Sequence, residues 1–254
     1  MSIIHSFDDK TPAMIGAEDC VVKSEYQIDT CIIMWQHKIM KELLEQDMVE
    51  ELVSVGSGNG PKVLYRVKGT NIGVYESPVG APMAVGMVEN FHAAVGIKNV
   101  LAFGVCGVLV DMEPGKCIIP TAAYRDEGTS YHYIPAADYI KIKNADKMEK
   151  IFDELSVGYI KGKTWTTDAI YRETIGNRDK RIAEGCVAVD MECSALQAVC
   201  DFRGLNLYQF FYGADSLSGV KWDARILGNY DISKRMKFFH LALEVAKKID
   251  ERSK

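Results

Sequence analysis

The sequence predicts an α/β fold, a single three-layer α/β/α domain with a mixed, mostly parallel central sheet, and three observations carry that reading. Short, β-branched apolar runs alternate with segments of helical period along the chain. No Pro/Ser-rich linker or internal repeat interrupts them, so 1–254 reads as one domain, with 1–29 as an N-terminal extension. The 254 residues, 48% of them hydrophobic, suffice for one large core.

The elements follow in order. TCIIMW (Thr30 to Trp35) is a buried strand, and HKIMKELLEQ continues it as a helix with Ile39, Leu43 and Leu44 recurring at helical spacing. GSGNGP (Gly56 to Pro61) has the glycines of a phosphate loop but precedes a strand and lacks the Lys-Ser/Thr pair, so it reads as a hairpin turn. GPKVLYRVKGTNIGVYES gives two strands around a Gly-Thr-Asn turn, and APMAVGMVENFHAAVG a largely buried helix. NVLAFGVCGVL is a continuous apolar run, as in a strand covered on both faces. GKCIIPTAAYR is a strand, KMEKIFDEL a helix and VGYIKGKTWTTD a strand. GCVAVDMECSALQAVCDFRG passes from strand to helix, with Met191, Ala195, Leu196 and Val199 on one face and Gly204 as the stop. LNLYQFFYGAD is the last buried strand, and ISKRMKFFHLALEVAKKIDERSK the closing amphipathic helix.

Thirty Lys+Arg face 35 Asp+Glu, a net charge of −5, which excludes partners that need a strongly basic face, nucleic acid and anionic membranes among them. A local pocket for a small anion stays open. The seven cysteines are mostly set among Val, Ile and Ala and read as buried reduced thiols. His5, His37, His92, His132 and His240 never fall at metal-ligand spacing, so no metal is expected. Asp8 and Asp9 interrupt the first residues where a signal peptide needs an apolar core, and no apolar run has spanning length, which makes a cytoplasmic location the expectation.

In open α/β sheets ligands sit beyond the carboxyl ends of the strands, and four strand ends here are unusual. Gly104-Val105-Cys106-Gly107 lets backbone approach a ligand, although tight strand–helix packing explains it as well. YRDEGTSYHY, from Tyr124 to Tyr133, is polar directly after a buried strand; a solvated loop accounts for its charges but not for tyrosines around His132. Asp190-Met191-Glu192 opens a helix, where one carboxylate can simply answer the dipole; two of them around an apolar Met fit a sugar-binding edge with an apolar floor. Asp215 stands alone at the mouth of a hydrophobic strand, as an N-cap or as a general acid.

These four strand ends, in this order, resemble the purine nucleoside and uridine phosphorylase family. GVCG looks like that family's GxxG strand end, YRDEGTSYHY resembles its VRxDGASxHF segment, VDMECSALQAVC is similar to its YEMESATLLTMC, and SPVGAPMAVGMVENF resembles its Gly-rich turn and helix. The resemblance spans roughly Val74 to Asp215. It implies a nucleoside phosphorylase-like fold assembled as a homodimer or as a homohexamer, a trimer of dimers. It also implies cleavage of an N-ribosidic bond by phosphate, the co-substrate, with no other cofactor, giving free base and ribose 1-phosphate.

Carried over by residue, Glu192 would bind ribose hydroxyls with Asp190 beside it, and Met191 would pack under the sugar. Gly107, Ile170 and Tyr171 would bound the base, and Asp215 would support protonation of the leaving base. Gly104, Val105 and Arg125 would lie toward phosphate. Asp215 tilts the base toward purine, whereas YRDEGTSYHY tilts kinship toward uridine. The sequence departs from the family at the phosphate end: TCIIMW runs into Gln36-His37-Lys38 with no Gly-Pro-Arg loop, and Ala102 and Val105 stand where an arginine and a hydroxyl are usual. Lys38, Arg125, Arg172 or Arg225 could supply a cation in their place. A nucleosidase using water, and a non-catalytic nucleoside-binding protein, are the alternatives.

Overall fold

The structure is a computed structural model that describes residues 2–57 and 60–253. The first apolar run forms β1 (Thr30–Met34), buried at all five positions. It leads into α1 (His37–Glu45), which turns Ile39, Met40 and Leu43 inward and leaves Leu44, expected on the same face, exposed. β2 (Val49–Val55), β3 (Lys62–Val67) and β4 (Ile72–Glu76) make an antiparallel ribbon. β2 lacks a sequence signature because it is an edge strand with exposed Glu50 and Glu51 and a bulge between Glu51 and Val53. Gly58 and Asn59, at the centre of the expected hairpin turn, lie outside the described residues.

α2 (Ala81–Val95) carries Pro82 in its first turn and ends at Gly96, whose φ of 76° is the left-handed stop that glycine accepts without strain. The chain continues through β5 (Asn99–Val108), β6 (Cys117–Asp126), β7 (Tyr139–Lys141), α3 (Ala145–Glu154) and β8 (Tyr159–Thr167). Then come α4 (Ile175–Ala183), β9 (Cys186–Asp190), α5 (Cys193–Arg203), β10 (Asn206–Ser216) and α6 (Ile232–Ser253). α5 stops at Gly204, as expected, but starts two residues after Met191, which sits in the turn before it.

The strands form one mixed sheet in the order β10-β6-β8-β9-β5-β1-β4-β3-β2, with β7 on β6. β10 also pairs with β5, so β5, β9, β8, β6 and β10 close into a ring from which β1, β4, β3 and β2 extend as a wing. Parallel pairings join β4, β1, β5 and β10, and also β6, β8 and β9; the remaining pairings are antiparallel. Helices cover both faces. α1, α3 and α6 pack Ile39, Phe152 and Phe239 into one core, and α2 and α5 pack Phe91 and Leu196 into the other. This is the three-layer arrangement, with part of its middle layer rolled up.

Six of the seven cysteines are buried, Cys20 is exposed, and all are free thiols. Among the described residues no helix is long and apolar enough to cross a membrane.

Candidate active site

The rolled strands leave a cavity of about 430 Å³ beyond the ends of β5, β9 and β10. Three of the four unusual strand ends meet there: Gly104 to Gly107, Asp190 to Glu192, and Asp215. Gly107 is a position of close approach, because a Cβ on it would stand 2.8 Å from both Leu217 and Val189 and 3.6 Å from Asp215. At Gly104 the missing side chain makes room for the indole of Trp35, which would lie 3.2 Å from a Cβ. The register between β5 and β10 shifts at Gly213–Asp215, and this irregularity brings Asp215 opposite Gly107.

Glu192 and Asp190 play unequal parts. Asp190 is buried and its carboxylate is saturated: Oδ2 accepts from Thr164 Oγ1 at 2.7 Å and from Thr166 Oγ1 at 3.1 Å, and Oδ1 from the N–H groups of Glu192 and Cys193 at 2.8 and 2.7 Å. Burial pushes it up to about 6 against these bonds. Asp190 therefore touches the cavity but spends its oxygens capping α5 and fixing the turn that presents Glu192, which changes the ribose-binding role expected for it. Asp190→Ala, which strands two N–H donors and two hydroxyls, should cost about 2 to 4 kcal/mol of stability, read as a fall in denaturation midpoint.

Glu192 is held from the opposite side. Its Oε1 accepts the N–H of Gly80 at 2.7 Å, from the turn that precedes α2. Burial pushes its carboxyl up to about 8 despite that bond, with the charge of Asp190 adding to the rise. Between the ordinary 4.5 and about 8 the folded chain thus keeps a proton that the unfolded chain has released, and stability falls as pH rises through this window. Glu192→Gln removes that slope. Its Tm relative to wild type should be higher at pH 8 than at pH 5, and parallel Tm curves would show that Glu192 ionises normally.

One side of the cavity, where the sequence places a base, is largely apolar and open. Ile170 and Tyr171, from the 3-10 turn Ile170–Arg172, line it, and Tyr171 is 94% exposed. Glu173, which the sequence reading missed, joins them, its carboxyl raised to about 7 by burial and then by the charge of Asp215. Trp222 donates its indole N–H to Asp215 Oδ2 at 2.7 Å. Glu173 does not sit at the end of an apolar run, so no pattern marks it.

The fourth strand end does something different. Arg125 stands outside the cavity, buried under its own loop: Nε donates to Ser130 Oγ at 2.8 Å, Nη1 to Pro135 O at 2.7 Å, and the guanidinium lies 4.1 Å over the ring of Tyr131. Its expected place near phosphate is corrected by these contacts. Glu127 accepts from Ser130 N–H and from Ser194 Oγ, both at 2.9 Å, so this segment braces the start of α5 behind Glu192.

The profile of the phosphorylase superfamily matches residues 39–252, well over half of the chain. The chain belongs to the phosphorylase superfamily. That superfamily consists of nucleoside phosphorylases and nucleosidases. A purine nucleoside phosphorylase, DeoD-type, of Bacillus cereus is 28% identical over 143 residues, 55% of this chain and 61% of the relative, so the match covers about three fifths of the relative's length. The purine nucleoside phosphorylase of Toxoplasma gondii, solved in complex with immucillin-H, shares the fold at a TM-score of 0.74 and 18% identity, over 91% of this chain and 95% of that one. The AMP nucleosidase of Bacteroides thetaiotaomicron does so at 0.67 and 18%, over 90% and 91%.

In this member of the phosphorylase superfamily the cavity is acidic. Glu173, Asp190, Glu192 and Asp215 line it, and no lysine or arginine among the described residues does. Arg225, another expected source of positive charge, donates to Met112 O at 2.7 Å instead.

Proposed function

We propose that this chain cleaves the N-ribosidic bond of a purine nucleoside with phosphate as acceptor, releasing free base and ribose 1-phosphate. One observation carries the reading: Met191 and Glu192, at the end of β9, and Asp215, on β10, face a single cavity from different strands. A ribose lying on Met191 would donate hydroxyl hydrogens to Glu192. Such bonds favour the ionised carboxylate, whose charge then stabilises the oxocarbenium character that grows at C1′. A phosphate oxygen forms the new bond to C1′ as the C1′–N9 bond breaks. The departing electron pair goes to the base, and Asp215 supports the proton that neutralises it at N7.

The Bacillus cereus relative, a purine nucleoside phosphorylase, supports the choice of acceptor and base. Phosphate is the co-substrate in this reading, and no other cofactor takes part. A homodimer or trimer of dimers belongs to the same reading, because exposed Val79, Tyr171 and Trp222 at the cavity mouth form an apolar rim that a second copy would cover.

That no lysine or arginine among the described residues lines the main cavity favours a second reading, in which water replaces phosphate. Incubation with inosine, adenosine, guanosine and uridine, with and without phosphate, decides between them. Phosphate-dependent release of base with ribose 1-phosphate is the expected result. Free ribose formed without phosphate would select the hydrolytic reading, and nucleoside-induced thermal stabilisation without base release would leave a binding protein.

A further inference from the structure

Glu173 follows the 3-10 turn Ile170–Arg172 and lines the main cavity, partly buried, from its apolar side. No donor among the described residues reaches its carboxyl. The local fold does not need that carboxyl either. Arg172 N–H and Thr174 N–H close the turn on the carbonyls of Ala169 and Arg172, and Thr174, not Glu173, caps α4 by accepting from Asn177 N–H. A carboxyl set against apolar surface without a donor is unfavourable as an anion, so its place asks for a ligand group.

The neighbours narrow what that group is. The titratable side chains that share the cavity with Glu173 are Asp215 on β10, Asp190 and Glu192 at the end of β9, Cys106 on β5 and Tyr171 on its own turn. Of these only Asp215 bears on it: burial, and then the charge of Asp215, raises Glu173 to about 7. Oδ2 of Asp215 accepts the Trp222 indole N–H at 2.7 Å, while no described residue donates to Oδ1. Oδ1 and the Glu173 carboxyl are therefore the oxygens left for a ligand on this side. A purine carries two groups side by side on the matching edge. N7 accepts in every purine, whereas the substituent at C6 donates if it is an amino group and accepts if it is a carbonyl.

We propose that Glu173 is the specificity-determining residue for the base, accepting a hydrogen bond from the amino group of a 6-aminopurine when ionised and donating one to the carbonyl of a 6-oxopurine when protonated. This rests on the purine-cleavage reading for the position of Asp215 at N7, and it goes further by choosing within the purines. As pH rises the carboxylate gains the 6-amino class and repels the 6-oxo class.

Calorimetric titration of the full chain with free adenine and with free hypoxanthine, at about pH 6 and about pH 8, tests the role without requiring turnover. At the higher pH adenine should bind about tenfold more tightly, the scale of one charge-assisted hydrogen bond, and at the lower pH the ratio should shrink several-fold. Glu173→Gln offers a donor and an acceptor at the same point and does not titrate, so the ratio should fall toward one and be equal at both pH values. Having no internal hydrogen bond to lose there, Glu173→Gln should keep the wild-type Tm. Asp215→Asn removes the neighbouring charge, so Glu173 ionises at lower pH and the ratio at about pH 6 should rise.

A wild-type ratio that does not change with pH, a pH-dependent ratio that survives in Glu173→Gln, or failure of both bases to bind would overturn the role of Glu173. Cleavage is judged separately, by base release from adenosine and inosine. The expected ratios without any base release would leave Glu173 in place and remove the cleavage reading, and base release with a ratio flat in pH would do the opposite.

Discussion

Asp215→Asn should lower turnover of purine nucleosides by about 10²-fold or more, as loss of a general acid does. The substitution is informative because it conserves shape. An asparagine oxygen can still accept the Trp222 indole N–H that Asp215 accepts at 2.7 Å, so the Tm should barely move while kcat falls. A riboside with a phenolate leaving group that needs no protonation should escape most of the loss. Glu173 gives an independent readout, because the charge of Asp215 is part of what raises it to about 7. Removing that charge should shift any limb that Glu173 contributes to the pH–rate profile toward lower pH. Full purine activity in the asparagine variant would remove Asp215 from the mechanism.

Glu192→Gln should reduce kcat/KM for ribonucleosides by about 10- to 100-fold and for 2′-deoxyribonucleosides by much less. The glutamine oxygen can keep the bond to Gly80 N–H, so the loop before α2 stays in place. What changes is the second oxygen, which becomes an NH₂ that offers hydrogens to hydroxyls already donating theirs. The ratio of the two substrates isolates the 2′-OH contact from any general damage. Equal losses on both would mean that Glu192 orients the cavity without touching that hydroxyl.

These two residues were legible in the chain because each terminates a buried apolar run, and a carboxylate at such a point has few structural excuses. Asp190 shows the limit of that logic. It lies two residues from Glu192 and fits the same pattern, yet its oxygens are consumed by Thr164, Thr166 and the first N–H groups at α5. Alternation along a strand fixes the side on which a residue emerges, not whether the neighbouring strand has already answered it. Arg125 fails for the same reason, since the loop that follows it folds back to supply Ser130 and Pro135 as acceptors.

What the sequence by itself determined is the succession of strands and helices, the glycine stops at Gly96 and Gly204, the α/β architecture with its mixed sheet, and three strand ends that line one cavity. All of these rest on burial periodicity and local backbone freedom, which are written within a few neighbouring residues. The tertiary structure alone decided that β10 pairs with β5 and rolls the sheet, that Gly80 holds Glu192 across 112 positions, and that Arg235 reaches Gln36 across 199. It also gathered Glu173, Asp190, Glu192 and Asp215 around one cavity. Contacts of that kind leave no period in the chain, because the partners meet only after the hydrophobic layers have packed and set which loop ends share a wall.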